Sequence, residues 1–154
     1  MKAKALLAAG LMIAASAASS LAQTVYSVNA VGFVNVECPP GFSLISNPLA
    51  AADNKVVALF PTAVSGTVVF KFNPSTGGFV SSTYSSFLNA WTDPTMTLVP
   101  GEGFFYKNPT ASTVTNTFVG NVQQGTLVTP LGSGFNLVSS QVPQQGLVST
   151  DLGL

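Results

Sequence analysis

The fold of this chain is decided by GFSLIS at residues 41–46 and by its near copy, GFNLVS, at residues 134–139. Each is a short run of aromatic, branched and hydroxyl side chains that begins at a glycine, which is typical of a β-strand entered from a tight turn. The copies are 93 positions apart, and at the same spacing Gly32 corresponds to Gly125 and Val34 to Leu127. A repeated strand indicates a structural building unit, so we expect an architecture assembled from such strands.

Short strands separated by turns are predicted along the rest of the chain, where Thr, Ser, Val and Phe are punctuated by Pro and Gly. Besides the two copies, we expect strands at residues 25–36, 67–72, 79–84, 96–99, 104–107, 113–119 and 126–128. A glycine-containing turn at residues 73–78 predicts a hairpin between the strands on either side of it. A short helix is expected at residues 54–60, capped by Asp53 and ended by Pro61. The predicted fold class is all-β, an antiparallel β-sandwich or an open barrel with one or two short helices.

The first 22 residues are predicted to be a cleaved signal peptide. Lys2 and Lys4 precede an apolar run at residues 5–18, and Ser20 and Ala22 place small residues at the −3 and −1 positions of a cleavage site. A transmembrane anchor or a buried N-terminal helix is the alternative, but the run is shorter than the roughly 20 residues that span a bilayer. We expect a secreted, periplasmic or cell-surface protein with no membrane span after cleavage.

Charge and composition exclude several classes of function. The 132 residues after Ala22 carry three lysines against five acidic residues, a net charge of −2, with no arginine and no histidine. Such a chain lacks the basic surface that nucleic acids require. Without histidine there is no Ser-His-Asp or Cys-His nucleophile and no His-ligated metal. We therefore expect no catalytic residues, no cofactor and no metal site.

Cys38 is the only cysteine, so an internal disulfide cannot form. We expect it to be a small apolar filler at a strand end; the alternative is an intermolecular disulfide.

The repeat divides the chain into residues 1–22 (signal peptide), 23–130 (β-module) and 131–154. The last segment is either the start of a second, truncated repeat or a strand that closes the sheet of the first module.

The chain resembles a family of bacterial exported β-modules over residues 25–143. The resemblance is carried by the strand at residues 41–48, by Leu59-Phe60, by the strand at 68–72 and by Pro-Gly-Glu-Gly-Phe-Phe at residues 100–105. Residues 25–33 are similar to the start of uncharacterised exported proteins of Verrucomicrobia-like bacteria. The resemblance implies an all-β module, and it implies no activity because the matched positions are glycines, prolines and core aromatics.

Four residues are the main candidates for a sugar-binding platform: Trp91, Tyr84 and Tyr106 as stacking rings and Asn89 as a polar partner. Phe87 is a further candidate ring and Asn108 a further polar partner. The alternative is that these aromatics pack in the core, where each large ring buries much apolar surface. Core positions are also expected for Phe70, Phe72, Phe104 and Phe118.

Asp93 and Glu102 are the only candidates for a carboxylate pair of the kind that cleaves glycosidic bonds. The alternative is that each is a turn residue in contact with solvent. The acidic residues are scattered singly and form no calcium-binding loop.

The function expected from the sequence is a non-catalytic exported structural or interaction module of the cell envelope or extracellular space. Its expected partners are further copies of itself or envelope proteins. The alternative is a carbohydrate-binding module that uses exposed aromatics to bind a glycan.

Overall fold

The computed structural model describes residues 30–146. The predicted signal peptide, the upstream part of the first predicted strand and residues 147–154 lie outside them. The described residues form strands and one short helix in the order β1 (Val31–Cys38), β2 (Gly41–Ser46), α1 (Val56–Leu59), β3 (Val68–Asn73), β4 (Gly78–Ser85), β5 (Ala90–Trp91), β6 (Gly103–Asn108) and β7 (Val114–Asn121).

The strands form two antiparallel sheets. β1 pairs with β7 along its whole length, from Val31 opposite Asn121 to Cys38 opposite Val114. The other five strands form one sheet in the order β2-β6-β3-β4-β5. Within residues 30–146 the two sheets do not close into a barrel, and the arrangement is sandwich-like. The all-β prediction is confirmed, together with β2 and the β3–β4 hairpin.

The core lies between the two sheets and is centred on Phe60, which follows α1. Its ring centroid lies 5.2 Å from that of Tyr106, 5.7 Å from that of Phe118 and 6.2 Å from that of Phe104. Phe104 and Tyr106 belong to β6 and Phe118 to β7, so one ring joins both sheets. The prediction that Phe104 and Phe118 are core residues is confirmed.

Two buried asparagines connect the loops to the strands. The Nδ2 of Asn47 donates to Oδ1 of Asn54 at 2.9 Å and to the carbonyl oxygen of Leu98 at 3.1 Å. The Nδ2 of Asn108 donates to the carbonyl oxygen of Cys38 at 3.0 Å, across 70 positions of sequence. Both side chains are almost wholly buried, so these bonds are shielded from competing water.

Helix α1 is shorter than predicted and is not capped by Asp53. The Oδ1 of Asp53 accepts the backbone N–H of Lys55 at 3.0 Å, and Lys55 itself is the extended residue before the helix. Asp53 therefore forms a local turn two residues too early to cap a helix, which is the competing use of an aspartate side chain.

Three of the predicted strands are not formed. Residues 96–99 make one bridge, between Thr97 and Lys55, and residues 134–139 make one bridge, between Val138 and Glu102. Residues 126–128 form no strand. Their side chains fit the strand pattern, but each segment lacks a partner with which to form a continuous ladder.

The second copy of the repeat nevertheless begins as the first does. Gly134 has φ +86° and Gly41 has φ +94°, a left-handed conformation that glycine adopts without steric cost. The copy then lies against the turn before β6, where the N–H of Gly103 donates to the carbonyl oxygen of Leu137 at 3.0 Å. It contacts the first module's sheet through this turn, and the division of the chain at residue 131 stays a prediction.

Candidate functional site

The central strands of the five-stranded sheet carry apolar side chains on both sides. Successive side chains of a strand point to opposite faces. In β6 Phe104 and Tyr106 are buried in the core that also contains Phe118 of β7, so Phe105 between them points outward. In β3 Val69 is buried, so Phe70 and Phe72 point outward as well.

The prediction that Phe70 and Phe72 belong to the core is therefore wrong. Both are half-buried on the outer side of the sheet. The alternation of the sequence correctly places Val68, Phe70 and Phe72 on one side of the strand and Thr67, Val69 and Lys71 on the other. The pattern alone does not say which of the two sides faces the other sheet. The interior position belongs to the smaller Val69, which lies opposite Tyr106 in the β3–β6 register and shares the core with Phe60.

The outward side chains form one continuous surface across four adjacent strands, which we call the aromatic face. It consists of Phe42 and Leu44 on β2, Phe105 on β6, Phe70 and Phe72 on β3, and Phe79 on β4. The register places Phe105 directly opposite both Leu44 and Phe70, and Phe72 directly opposite Phe79. These cross-strand pairs bring the six side chains together.

The aromatic face is open to solvent in the single chain. Phe42 is 62% exposed, Leu44 58% and Phe79 51%. The rings contact one another in tilted and edge-on geometries, with centroids 5.8 Å apart for Phe42 and Phe70 and 5.7 Å apart for Phe79 and Phe105. Between those four rings lies an open hollow of about 320 Å³, the phenylalanine hollow.

One charge accompanies the aromatic face. The ammonium group of Lys107 lies 5.8 Å from the ring centroid of Phe42, a cation–π distance. Within residues 30–146 Lys107 takes part in neither of the two ion pairs, which join Lys55 to Asp53 and Lys71 to Glu102. The face is thus strongly apolar with one positive charge beside Phe42.

Three of the four candidate sugar-binding residues lie together beside the β4–β5 turn. The rings of Tyr84 and Trp91 have centroids 5.6 Å apart, and the Oη of Tyr84 donates to Oδ1 of Asn89 at 2.9 Å. Trp91 is buried against Phe60, so its indole offers no open face for stacking. What remains accessible of this group is the Tyr84–Asn89 pair.

The fourth candidate, Tyr106, lies in the core. Burial raises the pKa of its hydroxyl, and its ring packs on Phe60. The structure therefore brings Tyr106 to the same aromatic cluster as Trp91, but on the interior side, where neither ring can meet a glycan.

The carboxylates of Asp93 and Glu102 are both engaged in local contacts. The Oδ1 of Asp93 accepts the Thr95 hydroxyl at 2.7 Å and the Thr95 N–H at 3.0 Å, and these bonds hold the pKa of Asp93 below its usual value. Glu102 pairs with Lys71 at 2.9 Å and accepts the N–H of Val99 at 3.2 Å. Each acid thus stabilises its own turn, the role expected of a turn residue.

A second hollow, of about 280 Å³, lies between the start of β6, the β3–β4 turn and the second copy of the repeat. Its polar side chains are already paired with one another. Lys71 forms an ion pair with Glu102, and Gln141 donates a hydrogen bond to Thr129. The Oδ1 of Asn136 accepts the backbone N–H of Gly132, and its Nδ2 donates to the carbonyl oxygen of Gly132. The lining offers a ligand few polar groups that are not already bonded.

Cys38 is fully buried at the end of β1. Its sulfur accepts a hydrogen bond from Nδ2 of Asn116 at 3.3 Å, and burial raises the pKa of the thiol. A protonated, enclosed thiol is a packing group with little reactivity. This agrees with the filler interpretation and not with an intermolecular disulfide.

Among residues 30–146, no three His, Cys, Asp or Glu side chains come close enough together to hold a metal ion. In the same part of the chain no helix has the length and apolar character to cross a bilayer. The chain matches none of the protein-family models, curated proteins or solved structures with which it was compared. The resemblance to exported β-modules therefore stays a prediction.

The aromatic face was not predicted from the sequence, although a signal for it exists. Phe104-Phe105-Tyr106 and Val68-Val69-Phe70 are unbroken apolar runs within strands. Such runs are typical of strands that are covered on both faces, whereas a half-exposed strand alternates apolar and polar residues. Unbroken apolar runs in these two strands therefore indicate a second apolar face on the sheet.

Proposed function

We propose that this chain is an exported, non-catalytic interaction module that docks onto another protein through its aromatic face. The observation that carries the proposal is a continuous outer face of six apolar side chains on four adjacent strands, three of them exposed and three half-buried. A large apolar side chain offers about 150–250 Å², so the exposed fractions of Phe42, Leu44 and Phe79 alone amount to about 300 Å² of apolar surface. Patches of this size on a folded chain are often binding sites.

The chemistry of the face supports an apolar protein surface as the ligand. A sugar is held by hydrogen bonds from converging polar groups in addition to ring stacking. The phenylalanine hollow is lined by four phenylalanines and by no polar side chain. Proteins bind an anionic membrane or a nucleic acid through clusters of basic residues. The outer side of β2, β3, β4 and β6 has no such cluster, because Lys107 is its one charged side chain.

The non-catalytic part of the proposal is supported by the lack of histidine and by the local engagement of Asp93 and Glu102. Export is supported by the basic, apolar and small-residue pattern of residues 1–22. Mass spectrometry of the protein recovered from the producing cell tests export directly. A mature chain that begins at Gln23 is expected, and a chain that keeps residues 1–22 contradicts export.

Docking through the aromatic face is tested by cysteine labelling. Cys38 is buried, so a thiol introduced at the surface is labelled over a low background. Ser81→Cys places the thiol on β4 directly opposite Phe70, on the outer side of the sheet and without removing an apolar side chain of the aromatic face, and Phe87→Cys places it in the β4–β5 turn, at an almost wholly exposed side chain. The unaltered chain serves as the blank.

Both cysteines are expected to react quickly with a maleimide in dilute purified protein. On intact producing cells, Ser81→Cys is expected to react at least about fivefold more slowly than in dilute protein, because a bound partner excludes the reagent. Phe87→Cys is expected to keep its rate. Equal labelling of the two variants in both settings would show an uncovered face and would overturn the proposal.

A further inference from the structure

We infer that the partner of the aromatic face is a second copy of this chain, so that two copies associate face to face as a homodimer. This inference rests on the proposed function and specifies its partner. Four features of the face support it: its shape, its area, its charge and the apolar pattern of its central strands.

The shape of the face suits a two-fold axis. The phenylalanine hollow is bounded by side chains from β2, β3, β4 and β6. Leu44 does not line it, but projects beside it on β2 with more than half of its side chain exposed. An interface about a two-fold axis requires one surface to carry both a projection and the hollow that receives it. The aromatic face carries both, so each copy can place Leu44 against the hollow of the other.

The area of the face matches a weak but specific dimer. Phe42, Leu44 and Phe79 give about 300 Å² of apolar surface on each copy, or about 600 Å² over two copies. The half-buried rings of Phe70, Phe72 and Phe105 and polar side chains at the border, such as Ser81 of β4, add to this area. The interface then lies among weak, transient contacts of less than about 1,200 Å², so the test below extends to high protein concentration.

The charge of the face permits two identical surfaces to meet. The one positive charge is Lys107, on the side of the hollow formed by Phe42. Its long side chain can keep the ammonium group in water at the border of the interface while its methylene groups contact Phe42. The rest of the face carries no charge that would repel its own copy.

The pattern of the central strands fits the same arrangement. β6 has buried rings on its inner side and Phe105 on its outer side, as in a strand that is covered on both faces. A second copy would supply the missing layer, with its sheet packed about 10 Å from the first.

The test is sedimentation equilibrium of the mature chain from about 1 μM to about 500 μM. The variants Leu44→Ser and Phe79→Ser alter the aromatic face. Phe33→Ser is the matched control, because Phe33 is 71% exposed but lies on β1 in the other sheet. Circular dichroism of each variant checks that it is folded.

The unaltered chain is expected to dimerise. Leu44→Ser and Phe79→Ser are each expected to raise the dissociation constant at least about tenfold, because each removes apolar surface buried between the copies. Phe33→Ser is expected to stay within about twofold of the unaltered chain. A dimer that Phe33→Ser weakens as much as the face variants would use the other sheet and would overturn the inference.

A chain that stays monomeric at the highest concentration would also overturn it. The labelling result then decides what else fails. If Ser81→Cys is protected on cells, the face binds a different protein and the proposed function stands. If Ser81→Cys is unprotected as well, the second copy and the proposed function both fail.

Discussion

Replacing Gly120 with alanine is expected to destabilise the fold severely, because a backbone segment lies where the new methyl group would stand. A Cβ at residue 120 would lie 2.6 Å from both the carbonyl carbon and the carbonyl oxygen of Ala50, and 2.7 Å from the nitrogen of Ala51. This close approach exists because Ala50 and Asn121 exchange two backbone hydrogen bonds, each of 2.9 Å. The methyl group would push this bridge apart.

The magnitude follows from two costs. Forcing an extra carbon into a packed site costs about 1–3 kcal/mol. Losing the two hydrogen bonds between Ala50 and Asn121 adds about 1 kcal/mol each. The expected loss in the free energy of unfolding is therefore about 3–5 kcal/mol, a large part of the roughly 5–15 kcal/mol that stabilises a typical domain.

The matched control is Gly32→Ala. Gly32 lies directly opposite Gly120 in the β1–β7 register, but a Cβ there meets Val122 at 3.7 Å and Leu49 at 3.9 Å, which are ordinary contacts. The control is expected to change the free energy of unfolding by less than about 1 kcal/mol.

Urea unfolding followed by the fluorescence of Trp91, the single buried tryptophan, measures both variants. If Gly120→Ala unfolds within about 0.5 kcal/mol of the unaltered chain, or if Gly32→Ala is equally destabilised, the close approach of residue 50 to β7 is not what the geometry indicates.

Three further outcomes are expected. Phe60→Ala removes the ring that joins both sheets and should cost about 3–5 kcal/mol in urea unfolding, whereas Phe87→Ala should stay within about 0.5 kcal/mol; equal effects would contradict the central place of Phe60. The pKa of Asp93 is depressed by its bonds to Thr95, so its stabilising contribution is present above about pH 4 and is lost as pH falls through the folded value. Asp93→Asn should make the free energy of unfolding fall less steeply as the pH is lowered below about 4, and an unchanged pH dependence would refute this. Because Cys38 is buried, its reaction with a disulfide reagent at about pH 8 should be limited by the rate at which the protein unfolds around it. A rapid reaction of the folded protein would mean that the thiol is accessible.

The sequence predicts well where local turn chemistry sets the structure. Strand β2 begins at Gly41 and ends before Asn47, as the flanking residues indicate. The β3–β4 hairpin turns at Gly77, which has φ +65°. Each of these features depends on residues close together in the chain, so the pattern is visible without the rest of the fold.

The sequence predicts poorly where the answer depends on distant partners. Met96 and Leu98 are buried as the alternation suggests, yet their segment pairs only through one bridge to Lys55. Rings in alternating strands usually lie in the core, which predicts core positions for Phe70 and Phe72, but the core contains rings from other segments. The aromatic face depends on distant partners too, since it is assembled from four strands that only the register brings together.

The two buried asparagines have a consequence for how this chain acquires its shape. Many small secreted domains fasten distant segments with cystines and therefore depend on an oxidant and on reshuffling of mispaired bonds. Here the amides of Asn47 and Asn108 fasten the loops instead, and the lone thiol has no internal mate. Within residues 30–146 these segments are joined without a cystine, so the resistance of this polypeptide to urea should be the same with or without a reducing agent.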